Sequence, residues 1–405
     1  MSIDLDSLPE VDLHSPEYLN DPFGVLAPLR AQVPLARSRR GIEVLRYDWI
    51  AELYADRRFI TPDMDAFRAK GVPPRFDEFL ENGFLLGFNG ERHDRIRRVI
   101  SKAFTIRRIE QQRGEMVSVA EALVDAFVDD GDGVVDLVAA YTARFPVEVL
   151  CRMLGVPADD IPRFADAGRE LHLMGAVPMA PGFPRIEAAL GVLHDYVADL
   201  VARRRAEPGT DFVSALIEAE RTEGKLSEPE LVWNIANLLF AGIDTTRYQL
   251  ASAVRALVEE PGEAWECLAG DPGLIPDALR EAMRFYPTAQ WSARIASQDC
   301  EYRGVTFPKG RRIFLSALSA CRDESVFVDA DRFDISRAGP RFDVPFGWGV
   351  HHCVGHALAR SGMEVSLEVR THRLRHLRVA GDVVSAEPSS MVGGPESLPI
   401  AFAPR

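Results

Sequence analysis

Nothing in the chain is apolar for long enough to cross a membrane: no run approaches the roughly 18–20 residues a spanning helix needs. A leader is not expected either, because Met1-Ser2-Ile3-Asp4-Leu5-Asp6 is acidic, with neither a basic start nor an apolar stretch behind it. Cysteine is scarce, with 5 residues in 405 (Cys151, Cys267, Cys300, Cys321 and Cys353). An odd, widely spaced set argues against a disulfide framework and suits a reducing cytoplasm. Positive charge is short as well: Lys and Arg number 47 against 61 Asp and Glu, a net charge of −14, which argues against nucleic acid as a partner. Repeats, low-complexity stretches and Ser/Gly linkers are missing, so a single compact unit over residues 1–405 is expected. The chain is 47% hydrophobic and 27% charged, a composition that buries a large core. One stretch breaks the acidic trend: between Glu91 and Arg108, the bases Arg92, Arg95, Arg97, Arg98, Lys102, Arg107 and Arg108 outnumber the two acids.

The periodicity predicts a mainly α fold with small β-sheets. Helical spacing dominates from about Arg92 to Gly270, with stops expected at Gly131-Asp132-Gly133, Gly155-Val156-Pro157 and Pro181-Gly182-Phe183-Pro184. Strands are expected at Ile42–Tyr47, around Glu301–Thr306 and at Arg312–Leu315, and a last hairpin at Gly393-Gly394-Pro395 and Leu398-Pro399-Ile400. Ser227-Glu228-Pro229-Glu230 is a capping box with proline in the first turn. The next stop is Pro261-Gly262, leaving about thirty residues, or about 48 Å, of helix that is apolar all round and so runs through the core.

Two segments break local rules in ways that point to chemistry. In the middle of the long helix stands Ala241-Gly242-Ile243-Asp244-Thr245-Thr246, poor helix formers grouped where the helix should be strongest. Small residues at 241 and 242 leave room for a ligand, and a threonine hydroxyl can bond the carbonyl one turn back. A kinked core helix with Asp244 paired to Arg247 is the competing reading. The second segment is Phe346-Gly347-Trp348-Gly349-Val350-His351-His352-Cys353-Val354-Gly355, a glycine-punctuated loop ending in a cysteine directly before a helical stretch. A helix start aims unpaired N–H groups at the sulfur and favours the thiolate. A buried structural cysteine, or a zinc site from His351, His352, Cys353 and His356, competes with this reading; no second ligand cluster completes the zinc site.

The cysteine run resembles the ligand loop of the cytochrome P-450 superfamily, FGxGxHxCxG, at every fixed position, and AGxDTT resembles that family's oxygen-binding helix. The resemblance spans the chain. It implies one domain with haem b (iron protoporphyrin IX) between the long central helix and the helix after the cysteine loop, Cys353 being the thiolate ligand of the iron. Phe346 and Gly347 belong to the cofactor loop. Asp244 and Thr245 are implied as the proton relay, with Arg247 able to hold Asp244 and slow it. His93 and Arg97 in His93-Asp94-Arg95-Ile96-Arg97, with Arg294 and His351, match the positions that hold the haem propionates. Glu281-Ala282-Met283-Arg284 resembles the family's ExxR helix, a buried structural pair joined by a second arginine, for which Arg332 matches. Cys321-Arg322-Asp323 departs from the usual Asn-Arg-Asp and puts the local turn contacts in doubt.

The implied activity is a haem-dependent monooxygenase that inserts one atom of O2 into a small apolar organic substrate by hydroxylation or epoxidation. A peroxygenase or decarboxylase, or a non-catalytic haem sensor, are the alternatives. Because no flavin or iron–sulfur domain follows to Arg405, an acidic ferredoxin with its NAD(P)H-dependent reductase is the expected electron source, steered to the basic island around Arg95, Arg98 and Lys102. By resemblance the substrate is lined by segments 63–88 (Leu85, Leu86), 171–184, the face Asn237, Phe240 and Ala241, the pair Ala289 and Gln290, and Met391. Their apolar and aromatic content favours a hydrophobic ligand.

Overall fold

The computed structural model describes residues 4–62, 67–69, 71–102, 104–129, 133–175, 178–223, 226–259, 263–339, 343–388 and 390–405. The stops expected at Gly131-Asp132 and Pro261-Gly262, and parts of the 63–88 and 171–184 segments, lie outside them. Helices dominate, with small sheets among them, as the periodicity predicts. None of the described helices is long and apolar enough to cross a membrane.

The long helix runs Glu228–Glu259, 32 residues. Its capping box closes both ways: the Ser227 N–H donates to Glu230 Oε2 (3.0 Å) and the Glu230 N–H to Ser227 Oγ (3.3 Å). Apolar side chains leave it in all directions. Trp233, Ile235 and Leu239 enter one cluster with the helices Phe145–Leu154 and Phe183–Ala206. Leu250, Val254 and Leu257 enter a second with Arg113–Asp129, Ile275–Phe285 and His356–Arg373. The long helix therefore joins two cores instead of covering one.

A five-stranded sheet joins Leu35–Ser38, Gly41–Val44, Arg312–Ser316, Trp291–Ala296 and Phe59–Ile60 in that order, all antiparallel except Gly41–Val44 against Arg312–Ser316. The strand expected to reach Tyr47 stops at Val44, and a helix, Tyr47–Ala55, begins instead. Its cap comes from far away: the Tyr47 N–H donates to Asp323 Oδ2 at 2.9 Å, so the Cys321-Arg322-Asp323 turn holds this helix start. The expected last hairpin is also redrawn. Pro395–Ser397 pairs with Val384–Ser385, whereas Pro399–Pro404 pairs with Leu374–Val379 and Val134–Asp136. Buried Leu398 separates the two, its N–H donating to Asp136 Oδ1 (3.0 Å). Gly155 does end its helix in the left-handed conformation (φ 76°), while Pro184 opens a helix, Phe183–Ala206, rather than closing one.

Candidate active site

The cysteine loop is built by tight turns at Val344–Phe346 and Gly349–His351. Gly349 needs to be glycine on two counts: φ is +70°, and a Cβ would lie 2.6 Å from the Tyr54 carbonyl oxygen. Gly347 also has positive φ, and the Cys353 N–H closes the loop on the Phe346 carbonyl at 2.9 Å. Helix His356–Arg373 then starts, so the Cys353 sulfur receives the backbone N–H groups of Gly355 and His356. Burial pushes the thiol up, and those N–H groups together with Arg97 oppose it. A metal bound there would deprotonate it outright.

The sequence-matched cations converge beside this loop. Arg97 Nη2 donates to the His352 carbonyl (2.6 Å), and the His93 and His351 rings sit 4.4 Å apart. Burial, helped by His93, Arg294 and Arg97, pushes His351 down to about 3. Arg294 is buried over the Tyr54 ring (4.9 Å), and its Nη1 donates to a neighbouring carbonyl, Ala293 O at 2.8 Å. Asp94 bonds Nδ1 of His93 (3.1 Å) from an exposed position, while the other nitrogen, Nε2, is buried and has no partner among the described residues. Arg97 and Arg294 bring two positive charges beside this pair of imidazoles, and such a cluster suits an anion, which the two carboxylates of haem would supply.

Across from the cysteine lies the centre of the long helix. A cavity with about 670 Å³ of space, part of it open to solvent, is lined on one side by Ala241, Gly242, Thr245 and Thr246 and on the other by Cys353 and Gly355. Its remaining walls are almost wholly apolar, as a flat hydrophobic cofactor requires. Thr245 Oγ1 donates to the Ala241 carbonyl at 2.9 Å, the contact expected from sequence, but the helix runs unbroken through Ala241–Thr246 and no gap opens in its ladder. Gly242 has a different reason from the one expected: a Cβ there would come within 2.6 Å of Leu150 Cδ2, so this glycine admits the crossing helix, and Ala241 is the small residue exposed to the cavity. Asp244 is buried and paired with Arg247 at 3.2 Å, the i,i+3 contact of the competing sequence reading. Burial raises its carboxyl, with Arg247 the main opposing influence, followed by His172 and Arg169. Those two arrive because Gly168 lets its helix meet Ile243. Arg247 also stacks on Tyr248 (4.2 Å), whose hydroxyl donates to Glu396 at 3.0 Å.

The ExxR pair is buried and fully bonded. Arg284 donates to both Glu281 oxygens (2.7 Å each) and to the carbonyls of Cys321 (2.9 Å), Ala330 (2.7 Å) and Arg332 (3.1 Å). The second arginine is Arg337, whose Nε reaches Glu281 Oε1 at 3.1 Å. Arg332 is exposed and offers only its carbonyl, which corrects the expectation from sequence. The readable signal was the turn: Asp334 Oδ1 accepts the Ser336 N–H (2.9 Å), and such a turn folds Arg337 back over Glu281.

The expected substrate-lining residues meet unequally. Leu85 is buried, whereas Leu86 is 43% exposed. Asn237 and Phe240 are half-buried on the long helix, and Met391 packs against Gly175 of the 171–175 segment. Ala289 bridges Val392. Gln290 is engaged elsewhere: with its amide nitrogen toward the turn, it donates to the carbonyls of Pro388 (2.5 Å) and Ser390 (2.9 Å), holding the loop that carries Met391.

Comparison with known proteins agrees with this layout. Residues 274–391, which span the ExxR helix and the cysteine loop, match the family model Cytochrome P450. Over 361 residues the chain is 36% identical to the mycinamicin IV hydroxylase/epoxidase of Micromonospora griseorubida, covering 87% of this chain and 89% of that one. The chain belongs to the cytochrome P450 family. Luteothin monooxygenase of Streptomyces thioluteus is 33% identical over 399 residues, 98% of this chain and 96% of the relative. Among solved structures, the P450 CYP109Q5 of Chondromyces apiculatus superposes with a TM-score of 0.87 at 27% identity, over 98% of this chain and 99% of that chain. Epothilone D-bound cytochrome P450epoK gives a TM-score of 0.87 at 28% identity, over 96% of this chain and 98% of that one. This P450 is a bacterial-type monooxygenase with a haem-thiolate cofactor, acting on an organic substrate with O2.

Proposed function

We propose that this P450 hydroxylates or epoxidises an apolar substrate with Cys353 as its thiolate ligand and electrons from an acidic ferredoxin in the cytoplasm. The observation that carries the reading is the shared cavity: the Ala241–Thr246 turn and Cys353 line opposite walls of one space although more than a hundred residues separate them. When bound, haem with a thiolate ligand supplies O2 activation and O–O cleavage. The chain does the rest. His93, Arg97, Arg294 and His351 would hold the propionates, and Phe346 and Gly347 would shape the cradle. Thr245 presents a hydroxyl to the cavity, and Asp244, raised by burial, carries protons to it from outside. Residues 1–405 act as one domain. Leu85, Asn237, Phe240, Ala241, Ala289 and Met391 bound the substrate space, Leu86 lies at its rim and Gln290 supports it. A panel of apolar compounds should give ferredoxin- and NAD(P)H-dependent oxygen uptake matched by product; product formed with peroxide alone, and none with ferredoxin, would favour a peroxygenase.

The ferredoxin surface is narrower than the sequence suggests. Arg95 donates to both Glu230 oxygens (2.7 and 2.9 Å), and Arg92 bonds Glu81, so these charges are neutralised and anchor the start of the long helix. Arg98 is exposed on the helix whose Arg97 reaches the cysteine loop, and Trp348 and Val350 are exposed on that loop. Arg98→Glu should slow first-electron transfer several-fold at low ionic strength, where the screening length is about 30 Å, and lose the effect near 1 M salt, where it is about 3 Å. Equal rates in variant and parent at both ionic strengths would remove this surface.

A further inference from the structure

Far from the cysteine end of its helix, Arg370 is buried with a relative exposure of 0%. Its Nε donates to the Ser366 carbonyl (3.0 Å), but among the described residues Nη1 and Nη2 have no acceptor and no carboxylate acts on the group. The guanidinium cannot shed its proton to relieve this. The Tyr141 ring lies beneath it at 4.6 Å, a cation–π contact that leaves every Nη–H unanswered. Around it the orphans multiply. Among the described residues the buried hydroxyls of Tyr141 and Ser366 lie within reach of each other but find no other partner, and the neighbouring Thr142 hydroxyl is buried without one. Tyr141 and Thr142 sit on a π turn, Val138–Thr142, a rare local geometry that recurs at functional sites. Donors therefore surround a lone cation. A water could accept from two of them but would add two O–H donors to satisfy and would leave the charge unbalanced, whereas a small monovalent anion accepts from several of them and neutralises it.

We propose that Arg370, with the hydroxyls of Tyr141 and Ser366, forms an internal chloride site that stabilises the packing of the π turn against helix His356–Arg373. At equal ionic strength the haem-loaded enzyme should melt several degrees higher in chloride than in gluconate, because a ligand that binds only the folded state stabilises by mass action. Crystals soaked in bromide should show an anomalous peak within hydrogen-bonding reach of Arg370 Nη1 and Nη2. Arg370→Leu should abolish the chloride dependence. Tyr141→Phe, which keeps the ring and its packing, should raise the half-effective chloride concentration several-fold, and so decides the matter if the leucine variant does not fold. Identical melting in the two salts, or a dependence that survives in Arg370→Leu, would overturn the site. A bromide peak without a chloride effect on melting would mean an adventitious ion only and would overturn it equally.

Discussion

Glu281→Gln and Arg284→Ala should give almost no haem-loaded protein, whereas Arg332→Ala should be close to silent. The ion pair is buried with nearly every donor and acceptor engaged, so removing one partner strands a charge at a cost of about 3–5 kcal/mol. That is a large share of the roughly 5–15 kcal/mol that holds a domain together. Arg284 also gathers the carbonyls of Cys321, Ala330 and Arg332, so its loss releases the segment that leads toward the cysteine loop. Arg337→Ala should behave like a milder Arg284 variant, because it removes a bonded partner of Glu281 but leaves Arg284 in place. Yields of haem-loaded protein, read as the ratio of haem to protein absorbance after purification, separate these cases. Normal loading in Glu281→Gln, or Arg332→Ala failing while Arg337→Ala loads normally, would contradict the assignment.

In Asp244→Asn, turnover should fall by about 10²-fold, the lower end of what a positioned acid–base group contributes. Thr245→Ala should keep substrate binding while diverting most of the electrons away from product and into peroxide. Both effects arise after oxygen binds, so the substrate-induced spectral shift should match that of the parent. Arg247 supplies a signed test. Its charge is the main influence holding the buried Asp244 carboxyl down, so Arg247→Gln removes the opposition and raises the carboxyl further. The protonated form then persists to higher pH, and the alkaline limb of kcat that depends on it should move upward. An unchanged limb in Arg247→Gln, with unchanged coupling in Thr245→Ala, would place the relay elsewhere, with Thr246 the next residue to test.

What was legible in the sequence shares a physical character. The cysteine loop and the Ala241–Thr246 turn break several local rules within a few residues, and such conflicts survive without knowledge of the fold. The capping box at Ser227 was readable for the same reason: donor and acceptor lie three residues apart. What was missed rests on distant partners. The helix at Tyr47 has no cap of its own and takes one from Asp323, and Gly242 is required by Leu150 on another helix. The strand Trp291–Ala296 alternates too weakly to announce itself and is fixed by its antiparallel neighbour Arg312–Ser316. Arg332 matches the motif, but the turn at Asp334-Ile335-Ser336 is what brings Arg337 to Glu281. The cations His93, Arg97, Arg294 and His351 were visible only as spacings; their crowding, and the unpartnered nitrogen of His93, required the fold.

The central claim is that Cys353, as thiolate, is the ligand of the haem iron. The spectrum of the reduced, CO-bound protein tests it most directly, since thiolate ligation moves the Soret band well to the red of histidine-ligated haem. The parent should show the red-shifted band, and Cys353→His should retain haem while the band moves to the histidine position. A parent band at the histidine position, or a Cys353→His spectrum identical to that of the parent, would contradict the account.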